Sequence, residues 1–120
     1  MCGITGIVNL NGELINPNIL QVMTDSISHR GPDGEGFWSE GNIGFGHRRL
    51  AIIDLSDYGR QPMKTPNNQY ILIYNGEIYN YKEIKSELIL KGYIFRGNSD
   101  TEVFLNALIE WGTDAILKFN

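Results

Sequence analysis

MCGITGIVNLNG, residues 1–12, contains the first strand and the first turn of the predicted fold. The apolar residues between positions 3 and 10 predict a buried β-strand. Asn11 and Gly12 predict a turn in which the backbone φ is positive. Cys2, the one cysteine of the chain, stands directly before this strand.

The composition predicts one globular domain of ordinary size. The chain has 120 residues, of which 42% are hydrophobic and 20% are charged, with a net charge of −4. This acidic balance argues against a nucleic-acid partner, and no apolar run is long enough to cross a membrane. A single cysteine excludes an internal disulfide framework and a multi-cysteine zinc site. Without a secretory signal, we expect a cytoplasmic protein.

Residues 16–53 predict a helix followed by two strands. Asn16-Pro17 is typical of a helix start and Gly31-Pro32 of a helix end. Strands are predicted at 37–39 and 43–53, around a turn at 40–42. The predicted helix has an apolar face at helical spacing, formed by Ile19, Leu20, Val22, Met23 and Ile27.

The second half of the chain predicts one strand and three helices. The strand covers 69–75, and Gly76 ends it. The two longer helices are predicted to begin with capping boxes and to end at glycines. These boxes pair Asn80 with Glu83 and Ser99 with Glu102, and the closing glycines are Gly92 and Gly112.

The third of these helices, a short one from about Thr113, leaves an apolar surface formed by Ala115, Ile116, Leu117 and Phe119. Because nothing follows to cover that surface, we expect a fragment of a larger domain. The alternative is that this helix packs back on the core.

Cys2 offers a nucleophile and a base in one residue. If Met1 is removed, the chain begins with a thiol and a free α-amine, whose reference pKa is near ~8. That amine can take the proton of its own thiol, and the thiolate is the reactive species. Where Met1 is retained, the amine is absent and we expect little or no activity. The alternative is a small buried side chain near an ordinary terminus.

Six segments in register carry a resemblance to a known family. They are residues 1–7 (MCGITGI), 29–34 (HRGPDG), 46–54 (GHRRLAIID), 61–62 (QP), 74–80 (YNGEIYN) and 98–103 (NSDTEV). Together they resemble the glutaminase half of glutamine-hydrolysing asparagine synthetases, a class II glutamine amidotransferase. This half belongs to the N-terminal-nucleophile hydrolases.

The resemblance implies an α+β fold, the four-layer αββα sandwich with antiparallel sheets. Residues 1–120 would then be the N-terminal part of a glutaminase domain, truncated at its C-terminus and without the synthetase domain. An uncovered sheet edge or the C-terminal helix would then offer a surface for self-association.

The resemblance assigns roles at the reacting end of the substrate. The nucleophile falls on Cys2, and the oxyanion hole falls on the Asn75 side chain and the Gly76 backbone N–H. Glycine suits position 76 because a side chain would hinder close approach and the required backbone angles. The alternative for Asn75-Gly76 is a hairpin turn.

The resemblance also assigns the residues that bind the rest of glutamine. Arg49 would bind its carboxylate, which suits a guanidinium fork. Glu77 and Asp100 would bind its α-ammonium, the alternatives being a solvated strand residue and a first-turn helix charge. Residues 49–53 would line the pocket with backbone groups, among them those of Leu50, Ile52 and Ile53.

Other polar residues of these motifs have expected structural roles. His47 is expected to be packed and hydrogen-bonded rather than a base, and Arg48 to form an ion pair. A buried Arg30–Asp33 pair is expected after the first helix.

The implied reaction is hydrolysis of L-glutamine to glutamate and ammonia, which a synthetase domain would use to make asparagine from aspartate and ATP. For this chain we expect no nucleotide, no metal and no cofactor, with ATP and magnesium confined to the missing domain. Two alternatives stay open. One is an inactive module that binds glutamine or associates with other chains. The other is the glutaminase half of an amidotransferase acting on a sugar or another acceptor.

Overall fold

The computed structural model describes all residues, Met1–Asn120. It is a mixed α/β structure with antiparallel sheets. The chain divides into two compact units. The first unit contains Met1–Ala51 and Arg60–Gly76, and the second contains Ile52–Gly59 and Glu77–Asn120.

A three-stranded antiparallel sheet forms the centre of the first unit. The strands are β1 (Gly3–Val8), β2 (Gly34–Glu40) and β3 (Ile43–Arg49), in the order β1-β3-β2. The predicted turn between β2 and β3 is confirmed, and Gly41 adopts φ 56° there. The predicted strand at the N-terminus is confirmed but is not buried on both faces, because its exposure alternates along β1.

Helix α1 (Pro17–Ser26) packs on one face of this sheet. The predicted cap is confirmed, because the Asn16 side chain accepts from the Asn18 N–H at 2.9 Å. Glycines make room for the helix, since a Cβ at Gly44 would lie 3.2 Å from Leu20 Cδ2. The predicted apolar face was partly wrong: Ile19 and Val22 are 54% and 68% exposed, and Thr24 is buried instead.

Two predicted strands are shorter than expected. The strand predicted over 43–53 ends at Arg49. The Ala51 N–H donates to the Asp33 carboxylate at 2.9 Å, so a side chain replaces the neighbouring strand there. The strand predicted over 69–75 is only β5 (Ile71–Leu72), paired with β4 (Met63–Lys64).

The second unit contains α2 (Tyr81–Leu90), α3 (Asp100–Trp111) and a 3₁₀ segment, Gly112–Lys118. The helices pack together and bury Leu88, Val103 and Ala107. Both closing glycines are confirmed, since Gly92 and Gly112 adopt φ 97° and 58°.

The predicted capping boxes were half right. The Ser99 hydroxyl caps α3 by accepting from the Glu102 N–H at 3.2 Å. The Glu102 carboxylate does not return to Ser99, because it accepts instead from the Arg96 and Gly97 N–H groups at 2.8 Å. Asn80 does not cap α2. Its amide donates to the Lys118 carbonyl at 2.8 Å.

The apolar C-terminal residues divide into two pairs. Ile116 and Leu117 are 58% and 85% exposed, as expected. Ala115 is fully buried, and the Phe119 ring meets the Phe104 ring edge-on at 5.0 Å. The expectation that all four form an open surface was therefore wrong for Ala115 and Phe119. None of the helices is long and apolar enough to cross a membrane.

Candidate active site

The Cys2 sulfur lies against the backbone of Leu50. Sγ is 3.3 Å from the Leu50 nitrogen, whose N–H donates to it, and 3.6 Å from the Leu50 carbonyl oxygen. The Leu50 N–H can donate to either a thiol or a thiolate sulfur, whereas the carbonyl oxygen can accept only from a thiol S–H. The half-buried Cys2 sulfur is therefore fixed to the residue that follows β3.

The sheet register places Cys2 and Arg49 on one face. Gly3 pairs with Arg48, so the ladder continued by one residue sets Cys2 opposite Arg49. Residues opposite each other in an antiparallel ladder project from the same face. Gly3 points to the other face, where a Cβ would lie 2.6 Å from the Ile27 side chain on the α1 side.

The alternation of side chains along β3 shows which other residues project from the same face as Cys2. Successive side chains of a strand point to opposite faces. Arg48 is on the α1 side, because its Nε donates to the Thr24 carbonyl at 3.2 Å. Arg49 and His47 therefore project from the opposite face, which we call the site face.

Arg48 is an ion-paired residue, as predicted. Its guanidinium contacts the carboxylates of Asp25 and Glu35, the latter at 2.9 Å. The expected buried Arg30–Asp33 pair was wrong, because both residues are exposed. Asp33 instead supports the segment after β3, as its contact with Ala51 shows.

His47 is buried on the site face and is neutral at pH 7. Burial, and then the Arg49 charge, lower its pKa from 6.5 to about 4, against an opposing hydrogen-bond contribution from the Tyr74 backbone. The prediction that His47 is packed is confirmed, since it is 1% exposed. The prediction that it is hydrogen-bonded is confirmed by its bond to the Tyr74 backbone, while Nε2 has no hydrogen-bond partner.

Asn75 and Gly76 do not form the alternative hairpin turn. A type I′ turn requires positive φ at both central residues, and neither residue adopts it. The required backbone angle was therefore not a correct reason for glycine at position 76. A Cβ at Gly76 would lie 2.6 Å from the Tyr74 hydroxyl oxygen, so packing of the Tyr74 ring accounts for the small residue.

Asp100 and Glu77, in the second unit, interact electrostatically. Asp100 is the first residue of α3 and is 6% exposed. Its Oδ2 accepts from the Ile78 N–H at 3.1 Å. Burial raises the Asp100 pKa, and the nearby Glu77 charge raises it further, while backbone hydrogen bonds to Ile78 and Thr101 oppose the shift. Asp100 therefore also lies in the first turn of α3, as the alternative interpretation of this residue predicts.

The remaining predicted pocket residues differ in their setting. Leu50 contacts Cys2 in the first unit, while Ile52 and Ile53 belong to the second unit and are 60% and 41% exposed. No group of three or more His, Cys, Asp or Glu side chains is arranged to hold a metal ion. The expectation of no metal and no cofactor stays a prediction.

Gln61 belongs to the motif at residues 61–62, and the sequence alone indicates no role for its side chain. It is 7% exposed, and its Oε1 accepts from the Tyr74 N–H at 2.5 Å. Nothing local marks this contact, since 13 residues separate the partners. The one signal available was an amide side chain next to a proline inside a shared motif.

A family model described as a glutamine amidotransferase domain matches residues 1–120. The chain belongs to this family. The match covers both units, including every residue predicted for the site.

Named relatives of this glutamine amidotransferase domain include two proteins of Bacillus subtilis strain 168. "Asparagine synthetase [glutamine-hydrolyzing] 3" is 43% identical over all of this chain and 20% of its own length. "Asparagine synthetase [glutamine-hydrolyzing] 1" is 41% identical over 98% of this chain and 19% of its own length.

A relative with a different name is "Amidase chry2" of Gibberella zeae. It is 35% identical over 97% of this chain and 19% of its own length. The chain therefore spans about a fifth of the length of these relatives.

Proposed function

We propose that this domain hydrolyses L-glutamine to glutamate and ammonia, with Cys2 as the nucleophile after removal of Met1. The observation that carries the proposal is the setting of Sγ, 3.3 Å from the Leu50 nitrogen at the end of β3. The register puts the Arg49 side chain on the same face, where it can bind the carboxylate of an amino acid.

The first half of the reaction forms a thioester. The Cys2 thiolate attacks the side-chain amide carbon of glutamine, and the Leu50 N–H keeps the sulfur in place. Negative charge develops on the amide oxygen, and the Asn75 amide and the Gly76 N–H stabilise it. The carbon–nitrogen bond then breaks, and ammonia leaves with a proton from the Cys2 α-amine.

The second half returns the free enzyme. Water attacks the thioester and gives one proton to the same amine, the carbon–sulfur bond breaks, and glutamate leaves. His47 takes no part as a base, because its pKa is lowered to about 4 and its ring is buried.

The assignments in the second unit are part of the proposal. Glu77 and Asp100 are the proposed ligands of the α-ammonium, in keeping with their two interacting carboxylates. Ile52 and Ile53 are proposed to line the pocket with backbone groups. The four-layer αββα sandwich is the proposed fold of this glutamine amidotransferase domain.

The fate of the ammonia is a wider proposal. Relatives named as glutamine-hydrolysing asparagine synthetases favour transfer to aspartate. A sugar or another acceptor is the second candidate, because one relative is not named as an asparagine synthetase.

The test begins with the N-terminal residue. Mass spectrometry shows whether the chain starts at Met1 or Cys2, and coupled glutamate detection measures hydrolysis. We expect protein starting at Cys2 to release glutamate, Met1-retaining protein to be inactive, and Cys2→Ala to abolish release. Thr24→Val, a change in the core away from Sγ, is the control and keeps the activity. An unchanged rate in Cys2→Ala would overturn the nucleophile, and an inactive mature protein that still binds glutamine would favour the binding module.

A further inference from the structure

Two buried polar side chains converge on the backbone directly before Asn75. Gln61 and His47 are 7% and 1% exposed, and neither takes a chemical role in the proposed reaction. Both interact with the backbone of Tyr74. The residues that follow Tyr74 are the proposed oxyanion donors.

Gln61 is placed by a glycine on β2. A Cβ at Gly36 would overlap the Gln61 carbonyl, so the missing side chain lets this loop lie on the site face. From there the Gln61 Oε1 accepts the Tyr74 N–H at 2.5 Å. The loop thus binds the Tyr74 backbone through a buried amide.

His47 is the neighbour of Gly36 across the sheet. The β2–β3 register pairs these two residues, so the imidazole lies beside the position where Gln61 sits. The interaction with the Tyr74 backbone raises the pKa of His47. It therefore favours a ring N–H facing an acceptor, which on a backbone is the carbonyl.

His47 is a costly residue at this position. Its Nε2 is buried without a hydrogen-bond partner, and a buried polar atom left unpaired destabilises the folded state. An apolar side chain would avoid that cost. However, an apolar side chain could not form the hydrogen bond to the Tyr74 backbone.

We propose that Gln61 and His47 are positioning residues that hold the Tyr74 backbone and so aim the adjoining Asn75 amide and Gly76 N–H. This inference rests on the proposed function, because only there do Asn75 and Gly76 stabilise an oxyanion. Donors of this kind act mainly on the transition state. Loss of the hold therefore lowers kcat more than it changes KM for glutamine.

The test compares two substitutions of Gln61. Gln61→Met keeps a similar volume but has no carboxamide acceptor, and we expect kcat to fall roughly 10- to 100-fold, less than or near the 10²- to 10³-fold loss of a whole oxyanion donor. KM for glutamine is expected to stay within about threefold, since the ground-state contacts remain. Gln61→Glu keeps an acceptor oxygen and recovers most of the lost kcat.

Thr24→Val is the matched control. Thr24 is fully buried in the same unit and bonds to Thr5 and to the Leu20 carbonyl, away from Tyr74. We expect a lower melting temperature with kcat unchanged. A second readout is NMR amide exchange at Asn75 and Gly76, which Gln61→Met and His47→Leu accelerate and Thr24→Val does not.

The outcomes separate the two proposals. A mature wild-type protein that releases no glutamate overturns the proposed function and this inference with it. An active wild type with an unaffected Gln61→Met, in kcat and in exchange, overturns this inference alone. If Gln61→Met fails to fold, Gln61→Asn is measured in its place. This substitution shortens the side chain by one methylene and withdraws the amide from Tyr74, so we expect kcat to fall in the same way.

Discussion

His47 in the first unit and Asp100 in the second are both buried titratable groups with different surroundings. His47 is 1% exposed and Asp100 is 6% exposed. Burial lowers the pKa of His47 to about 4 and raises that of Asp100, because it disfavours the charged form of either group. Asp100 has a backbone donor from Ile78, whereas the His47 Nε2 has no partner.

The two buried groups differ in how far neighbouring atoms compensate for the loss of contact with water. The Ile78 N–H opposes the rise in the pKa of Asp100, so the carboxylate is partly compensated for its burial. The Arg49 charge adds to the fall in the pKa of His47, so the imidazole is kept neutral. Asp100 is thus a buried carboxyl group with a backbone donor, and His47 is a buried neutral ring.

The largest expected effect is acid destabilisation through His47. The unfolded ring takes a proton near pH 6.5 and the folded ring only near pH 4, so stability is complete above pH 6.5 and falls below it. A shift from 6.5 to about 4 corresponds to roughly 3 kcal/mol lost by pH 4.

Urea unfolding from pH 7.5 to 4.5 measures this loss. His47→Gln should give a shallower fall than the wild type, while His29→Gln, at an exposed position, should not. Equal slopes for His47→Gln and wild type would show that the lowered pKa of His47 does not cause the acid destabilisation.

A smaller effect of opposite sign is expected at Asp100. Its folded pKa is raised, so its contribution is fully present below the unfolded value of 3.8 and is lost as pH rises above that value. Asp100→Asn removes the buried charge and keeps an oxygen for the Ile78 N–H, so we expect a higher melting temperature at pH 7. Asp114→Asn, an exposed position of the same unit, is the control. A lower melting temperature for Asp100→Asn would show that its carboxylate stabilises the fold.

The smallest effects come from the neighbouring charges. Arg49→Met should raise the pKa of His47, and Glu77→Gln should lower that of Asp100, because each change removes a like charge. NMR titration of the two side chains measures both shifts. Burial is the largest cause in each case, so the shifts are partial. A shift in the reverse direction at either residue would show that the neighbouring charge does not shift that pKa as described.

Local signals in the sequence correctly predicted two of the three helix caps and several turns. Asn16 and Ser99 cap their helices as predicted, and Gly12 adopts the predicted positive φ, at 80°. These features depend on residues within one turn of chain, so the sequence contains their physical cause.

Contacts between distant residues explain where the sequence interpretation failed. The strand predicted to run to residue 53 stops at Arg49, because the Leu50 N–H is taken by a sulfur 48 residues away. The Asn80 amide is taken by Lys118, 38 residues away, instead of capping α2. For the candidate site, the motifs singled out Cys2 but could not reveal its contact with Leu50. Such pairings are fixed by tertiary packing, which local periodicity does not encode.

The proposed function depends on acylation of the Cys2 sulfur by glutamine. The most direct measurement is rapid-quench mass spectrometry of the mature protein mixed with glutamine, followed by peptide mapping. Our expectation is a transient glutamyl group on the peptide that begins with Cys2, and none in Cys2→Ala. Glutamate release without any adduct on that peptide, or an adduct on another residue, would contradict it.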